Sequence, residues 1–437
     1  MSTSSTKTQI TIERLSHEGR GIGYINGKTT FVWGALAGET VNIRYTRRRN
    51  SYDEAIAEEI IQAAAERVSP VCAHFGVCGG CSLQHIEVAT QIKHKQKVLL
   101  ELLEHQANAQ PQNLLAPLTA KSFGYRRKAR IGIKYVPKKN KVLVGFRERD
   151  GRFIADLNSC AVLEPKLGQL FDELSQLIYK LAIRDQIAQL ETAITDDTTA
   201  IIIRHLAPFN PEDLTTLINF AKQHQLQLYL QPKGLDSIHL LYPETSTELL
   251  AYRLKDYDLH MEFHPAQFTQ VNFEINALMI KQALSLLDLQ ATDSVLDLFC
   301  GIGNFSLPIA RHAAKVIGVE GDVSAVKQAQ ANAALNNIHN AEFYTSNLFE
   351  NISGQAWAQQ NFTKILLDPP RAGAQEIIEQ FKIWQPERIV YISCNPATLA
   401  RDTQLLLKQG YKLNSTGVMD MFPHTQHVEA MSLFCKN

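Results

Sequence analysis

The chain has 437 residues, 45% of them hydrophobic and 20% charged, with 7 cysteines. This excludes a collagen-like, mainly disordered or disulfide-dense protein, and the length suits roughly two to four domains. The formal net charge is zero, which taken alone argues against a nucleic-acid partner.

The zero is a sum of unlike parts. Residues 1–152 carry 24 Lys+Arg against 13 Asp+Glu, whereas residues 153–437 carry 20 against 31. Such asymmetry points to a polyanion-binding part joined to something else. Residues 1–7 have no apolar core, so no signal peptide is expected, and no apolar run approaches the ~18 residues of a membrane span. The expectation is a cytoplasmic protein whose cysteines are ligands or catalysts rather than disulfides.

Residues 9–61 read as a small all-β unit with a helix or strand at its end. Partly alternating stretches at 9–15, 29–32 and 40–45 are separated by glycines that mark turns and bulges. Short, Gly-spaced strands suit an OB-like barrel. Arg44, Arg47, Arg48 and Arg49 offer phosphate contacts, and Tyr24, Trp33, Tyr45 and Tyr52 offer stacking faces, about half of them expected in the barrel core. The glycine pattern resembles the TRAM domain, an RNA-binding barrel appended to RNA-modifying enzymes.

Cys72, Cys78 and Cys81 follow within ten residues, the last two separated by Gly79 and Gly80, and Cys160 lies 79 residues on. Zinc usually takes paired C-x2-C knuckles or histidine partners. Three clustered thiols and a remote fourth suit a [4Fe–4S] cluster better, with zinc and His74 as the second choice. The spacing is not the C-x3-C-x2-C of radical enzymes, so the expected role is structural or RNA-organising.

The apolar positions Val88, Ile92, Val98, Leu99, Leu102 and Leu103 predict a helix over 86–106. Residues 121–152 then hold 12 basic against 2 acidic residues. Alternation over 129–136 and 141–147 predicts a hairpin across 137–140, and a basic ribbon of this kind is an expected RNA surface. Arg126, Arg127, Lys128, Arg130 and Lys134 are its candidate RNA contacts, with Arg47 and Arg48 on the barrel. Residues 166–260 read as mixed helix and strand without recognisable chemistry.

From about residue 276, strand and helix alternate as in a doubly wound α/β sheet. A buried strand over 295–299 runs into Cys300-Gly301-Ile302-Gly303-Asn304, preceded by Asp297. A second strand ends in Glu320, where an acid commonly holds ribose hydroxyls. The third glycine of the dinucleotide fingerprint is missing, which favours S-adenosylmethionine over NAD. Asn347, after a third strand, is placed to meet adenine. A fourth strand leads into Asp368-Pro369-Pro370-Arg371-Ala372-Gly373, and a fifth into Ser393-Cys394-Asn395-Pro396. Both acid and thiol therefore fall at the C-terminal sheet edge, where ligands bind in this fold. His424, His427 and Glu429 come together near the end, with metal binding as a secondary reading of that segment.

Taken with Phe268-Thr269-Gln270-Val271-Asn272 and His427-Val428-Glu429, these motifs resemble the RNA uracil-5-methyltransferases over nearly the whole chain. The combination of barrel and cysteine loop resembles the 23S rRNA type within that family. The resemblance implies a multidomain α/β protein of three parts. These are a TRAM-like OB-fold RNA-binding domain (1–66), a central α+β iron–sulfur and RNA-binding domain (67–265), and a Rossmann-like S-adenosylmethionine-dependent catalytic domain (266–437).

It also implies the site. Cys394 is the expected nucleophile at uracil carbon 6, Glu429 the base that removes the carbon 5 proton, and Asp368 a pocket or cofactor contact. S-adenosylmethionine is expected against Gln270, Phe299, Asn304, Glu320, Asn347 and Asp368, with Phe268 stacking on RNA bases. The cluster ligands are expected to be Cys72, Cys78, Cys81 and Cys160. The expected partner is 23S rRNA, approached by a monomer with no membrane or obligate protein partner. The rival readings are a family member acting on tRNA or another rRNA uridine, a methyltransferase for cytosine carbon 5 or an exocyclic amine, and a non-catalytic iron–sulfur RNA-binding protein.

Overall fold

The computed structural model describes residues 8–149, 151–244 and 247–436, so the leader reading of residues 1–7 lies outside them. The chain divides into two compact units. The first gathers Met1–Val98, Arg147–Phe153 and Phe422–His427; the second holds Leu99–Phe146, Ile154–Met421 and Val428–Asn437.

The first unit opens with six strands: β1 (Thr8–Thr11), β2 (Arg14–Leu15), β3 (Gly21–Ile25), β4 (Lys28–Trp33), β5 (Thr40–Arg48) and β6 (Tyr52–Gln62). Their order is β1-β5-β6-β4-β3-β2. The segment through β1 and β2 pairs with β5 at its start and with β3 at its end, so the sheet closes on itself as a barrel. At the crossing, a Cβ on Gly23 would stand 2.4 Å from the Thr11 carbonyl oxygen, so the close approach needs glycine there. Ile10, Ile12, Val32, Val41, Ile43 and Ala55 fill the interior. The end of the barrel, open to helix or strand in the sequence, is the strand β6, antiparallel to β5 and parallel to β4. The helix α1 (Val88–Ala107) follows.

The second unit contains, in order, β7 (Asn113–Leu114), β8 (Lys128–Val136), β9 (Lys141–Gly145), α2 (Pro165–Gly168), α3 (Phe171–Lys180), β10 (Ile187–Ile194), β11 (Thr199–His205), α4 (Pro211–His224), β12 (Gln227–Gln231), β13 (His239–Tyr242), β14 (Leu250–Leu254) and β15 (Leu259–Phe263). The sheet β13-β12-β11-β10-β8-β9 includes the expected hairpin, with Val136 opposite Lys141. There follow α5 (Phe273–Leu287), β16 (Ser294–Leu298), α6 (Ser306–Ala310), β17 (Lys315–Glu320), α7 (Val323–Leu335), β18 (Ala341–Thr345), β19 (Lys364–Leu367), α8 (Gln375–Ile378), β20 (Arg388–Ser393), α9 (Pro396–Lys408), β21 (Tyr411–Met419) and β22 (Glu429–Lys436).

These seven strands and β7 form an eight-stranded sheet, β18-β17-β16-β19-β20-β22-β21-β7. The chain runs outward from β16 to β18 and returns at β19, so the topological switch point lies between β16 and β19. Val295, Leu296, Leu298, Ile365, Leu366, Leu367, Ile389 and Val390 are buried, the near-continuous apolar run of a sheet covered on both faces. β22 enters antiparallel between β20 and β21. Among the described residues no helix is long and apolar enough to cross a membrane.

Candidate active site

The crevice at the switch point is lined by the turn after β16 and the loop after β19. Phe299 takes a left-handed φ of 64°, and its N–H and that of Cys300 both donate to the Val319 carbonyl, at 2.9 and 3.1 Å. Gly301 then donates its N–H to Glu320 Oε2 at 3.1 Å, while Glu320 Oε1 accepts from Gly321 and Asp322 N–H at 2.7 and 3.0 Å. The carboxylate at the end of β17 is thus fixed by three amides.

Asp297 is fully buried. One of its oxygens accepts the Ser306 hydroxyl, and Oδ1 has no partner. Burial pushes its carboxyl up to about 7; the Ser306 bond opposes this, and Asp368 and Glu320 add to it. Burial and the Glu320 charge likewise push Asp368 up to about 7. An orphaned buried acceptor beside two further carboxyl groups suits a cationic ligand.

Asn304 is held by neighbours that the sequence does not announce. Its Oδ1 accepts from the Tyr252 hydroxyl and from Asn276 Nδ2, both at 3.0 Å, and its Nδ2 donates to Asn276 Oδ1 at 2.9 Å. This leaves the side-chain amide one donor hydrogen beyond the network. Asn347 is exposed; it donates to Glu350 at 2.7 Å and accepts the Phe349 N–H at 3.1 Å. The Phe349 ring stands 5.8 Å from that of Phe299.

Cys394 and Glu429 meet through strand register. Ser393 pairs with Ala430 in the antiparallel β20–β22 ladder, so Cys394 and Glu429 are each one residue beyond that pair. Burial pushes the Cys394 thiol up to about 11; Glu429 and Asp368 contribute in the same direction and Arg371 in the opposite one. The thiol therefore feels both acids and the guanidinium.

The loop that carries Asp368 and Arg371 is clamped by α9. Asn395 caps that helix by accepting the Ala397 N–H and donates to the Arg371 carbonyl at 3.0 Å. Arg401 donates to the Ala372 carbonyl at 2.9 Å, and the buried Asp402 accepts both the Ala374 N–H and the Tyr391 hydroxyl at 2.7 Å. Arg401 and Asp402 act through main-chain atoms of the loop and Tyr391 through Asp402, so none of the three carries a motif signal.

In the first unit the cysteine loop is braced by the 147–149 segment. Gly79 donates to the Arg147 carbonyl and Arg149 to the Val77 carbonyl, each at 2.9 Å. Cys72, Cys78 and Cys81 are half-buried and outside any disulfide, and the Gly80 N–H points at Cys78 Sγ at 3.4 Å. Cys160, in the second unit, is also half-buried and not disulfide-bonded. The donor chemistry suits a thiolate-held metal. Yet no group of three or more His, Cys, Asp or Glu among the described residues is gathered to hold one, at these cysteines or at His424, His427 and Glu429.

Against known proteins, residues 212–437 match the family model of tRNA (Uracil-5-)-methyltransferase and residues 5–57 that of the TRAM domain. A relative from Hahella chejuensis, named 23S rRNA (uracil(1939)-C(5))-methyltransferase RlmD, is 50% identical over 97% of this chain and 96% of its own. One of the same name from Legionella pneumophila is 48% identical over the same shares. The chain belongs to the RNA uracil-5-methyltransferase family. The crystal structure of Pyrococcus abyssi tRNA (uracil-54, C5)-methyltransferase, solved with S-adenosyl-L-homocysteine, shares the fold. It has a TM-score of 0.75 at 23% identity and covers 98% of this chain and all of that one.

In a uracil-5-methyltransferase the basic residues differ in what they touch. Lys128 Nζ donates to the Pro265 carbonyl at 3.0 Å and to the Gln267 carbonyl, and burial pushes its pKa down to about 8. Arg127 pairs with Asp196 at 2.7 Å, lies over the Phe273 ring and donates its N–H to the Val271 carbonyl. Both brace the 265–272 segment through these contacts. Arg126 also turns inward, donating Nε to the Lys128 carbonyl at 3.0 Å. Arg130 and Lys134 are exposed, although Arg130 also meets Glu191 at 3.1 Å. Arg47 and Arg48 are exposed, Arg48 stacking over Tyr45. Phe268 is 70% exposed and Gln270 half-buried. Trp33 is neither barrel core nor an open stacking face. It lies beside Phe75 and His85 with the Arg149 guanidinium 4.0 Å from its ring centroid.

Proposed function

We propose that the protein methylates carbon 5 of a specific uridine in 23S rRNA, the position corresponding to uracil 1939 in the names of its relatives. The observation that carries this is the full-length identity to those relatives, together with the Cys394–Glu429 register in a methyltransferase sheet.

Uracil carbon 5 is a weak nucleophile, and the chain's residues answer that problem. Cys394, as thiolate, adds to carbon 6, forming a C–S bond and an enolate that makes carbon 5 nucleophilic. S-adenosylmethionine, when bound, supplies an electrophilic methyl group. Gln270, Phe299, Asn304, Glu320, Asn347 and Asp368 would hold it, and the unpartnered Asp297 Oδ1 with the neighbouring carboxyl groups suits its positive charge. Glu429 then takes the carbon 5 proton, the C–S bond breaks, its electron pair returns to sulfur and the 5,6 double bond is restored. The uridine must leave its stack to reach Cys394, and Phe268 is available to stack on a neighbouring base.

We further propose a [4Fe–4S] cluster on Cys72, Cys78, Cys81 and Cys160, on the support of their spacing and thiolate chemistry. No step of methyl transfer runs through it. Iron and broad absorption near ~400 nm in anaerobically purified protein would support it, and zinc without iron would remove it.

The enzymatic reading is tested by tritium release from uridine-5-labelled 23S rRNA, followed by mapping of the methylated nucleoside. Release confined to one rRNA uridine supports it. Release only from tRNA, or RNA capture with no methyl incorporation, overturns it.

A further inference from the structure

The loop that carries Arg371 outruns the strand pairing beneath it. The parallel β19–β20 ladder ends at the Leu367–Tyr391 pair, before the chain reaches Arg371 on one side and Cys394 on the other. Past that pair, bonds from α9 take over. Asn395 Nδ2 and the Thr398 hydroxyl donate to the Arg371 carbonyl at 3.0 and 3.4 Å, and Arg401 donates to the Ala372 carbonyl at 2.9 Å. Asp402 Oδ2 accepts the Ala374 N–H at 2.7 Å. Gly373, between them, has a φ of 82°; a Cβ there would stand 2.5 Å from Arg401 Nη2 and 2.6 Å from Asp402 Oδ2. Loop and helix are therefore in direct contact along 371–374.

Asp402 is the node of this contact. It is fully buried, and the oxygen that holds Ala374 also accepts the Tyr391 hydroxyl at 2.7 Å. Its Oδ1 accepts Arg401 Nε at 2.8 Å. Tyr391 is itself buried on β20, three residues before Cys394. A buried carboxylate is costly without such donors, so this one side chain ties loop, strand and helix together.

The thiol of Cys394 feels Asp368 and Arg371 from the loop and Glu429 from β22, while Tyr391 on β20 feels Cys394 and, from α9, Asp402 and Arg401. Arg371 acts to favour the thiolate. Attraction between charges falls with distance, so retreat of the guanidinium by about 4 Å would cost roughly a tenfold loss of thiolate.

We propose that Asp402 is a positioning residue for activation of the nucleophile. By holding the 371–374 loop against α9 and β20, it keeps the Arg371 guanidinium where it favours the Cys394 thiolate. This rests on the role proposed for Cys394. The sign separates it from a direct effect. Removing the Asp402 anion would by itself favour the thiolate, and so would water entering a loosened loop; losing the hold on Arg371 disfavours it.

The test is alkylation of Cys394 by iodoacetamide in the full-length protein without RNA, read on its own peptide by mass spectrometry from pH 7 to 11, because the thiolate is the reacting form. Asp402→Ala moves the profile to higher pH and slows alkylation about tenfold at pH 8, as does Arg371→Ala. The double variant is no slower than Arg371→Ala, since both changes remove one interaction. Asp402→Asn, whose side-chain oxygen still accepts from Ala374 and Tyr391, stays near the parent. Gly373→Ala drives the loop off α9 with every charge in place; it moves the profile the same way and decides alone if Asp402→Ala does not fold. An unmoved profile or one moved to lower pH in folded Asp402→Ala, or in Gly373→Ala where that decides, overturns the proposal. So does a double variant slowed by the product of the single factors, or Asp402→Asn as slow as Asp402→Ala. Adduct formation with 5-fluorouridine RNA, run in parallel, separates the two readings. If Cys394→Ala forms no adduct and the Asp402 profile is unmoved, only the positioning role fails. If Cys394→Ala forms adduct normally, the nucleophile role fails first.

Discussion

Cys394 and Glu429 leave the antiparallel β20–β22 ladder at the same level, each one residue beyond the Ser393–Ala430 pair. Because that ladder is central in an eight-stranded sheet, neither can shift without moving buried strands. Nucleophile and base are therefore carried by one rigid framework, as precise placement of reacting groups requires.

Cys394→Ala should abolish both tritium release and the covalent complex with 5-fluorouridine RNA, with a loss of about 10³-fold or more. Binding of S-adenosylmethionine, measured by calorimetry, should persist. Near-normal turnover would remove the covalent mechanism.

The Cys394 thiol, pushed up to about 11 in the protein without ligands, is almost wholly protonated at neutral pH. The rate of adduct formation should therefore climb with pH from 6 to 9. The Arg371 charge acts to lower this pKa, so Arg371→Ala should raise it further and move the rise to higher pH. A pH-independent rate in both proteins would show that another group controls addition.

Asp368 has a folded-state pKa of about 7 against an ordinary 3.8. Its contribution to stability is present below pH 4 and is lost as pH rises through 7. Asp368→Asn should then be more stable than the parent at pH 8, on the order of 2 kcal/mol, and no more stable at pH 4. The same change should weaken S-adenosylmethionine binding, a trade of function for stability. Urea denaturation at the two pH values checks the first part.

Arg130, Lys134, Lys138 and Lys139 are exposed, whereas Lys128 is engaged by two main-chain carbonyls. Neutralising the first four should flatten the dependence of log affinity on log salt, by about 0.7 for each phosphate of single-stranded RNA that is no longer neutralised. Lys128→Met should leave that slope unchanged while lowering the unfolding midpoint.

Much of this was legible because pattern and chemistry coincide. The 364–367 strand is four buried residues ending at an acid and two prolines, and the 137–140 turn combines proline, lysines and asparagine between alternating strands. Other features depend on partners distant in sequence. β6 reads Tyr-Asp-Glu-Ala-Ile-Ala-Glu-Glu-Ile-Ile-Gln, a composition equally suited to a helix, and only pairing with β4 and β5 makes it a strand. Lys128 looks like its basic neighbours until the 265–267 carbonyls fold over it. Asn304, with its glycine loop, is visible as a site residue; Tyr252 and Asn276, which hold its amide, carry no local signal.

The first unit is assembled from three stretches of chain, one of them only six residues long at 422–427. During synthesis the barrel strands, complete by residue 62, can close early. The bonds from Ser82, Leu83, Gln91 and Lys95 must wait until almost the entire polypeptide has emerged, because their acceptors lie at 422 and 424. The cysteine loop is thus adjacent to a seam that forms last. A fragment ending before residue 422 would keep every barrel strand and every cysteine but Cys435, yet leave that seam open.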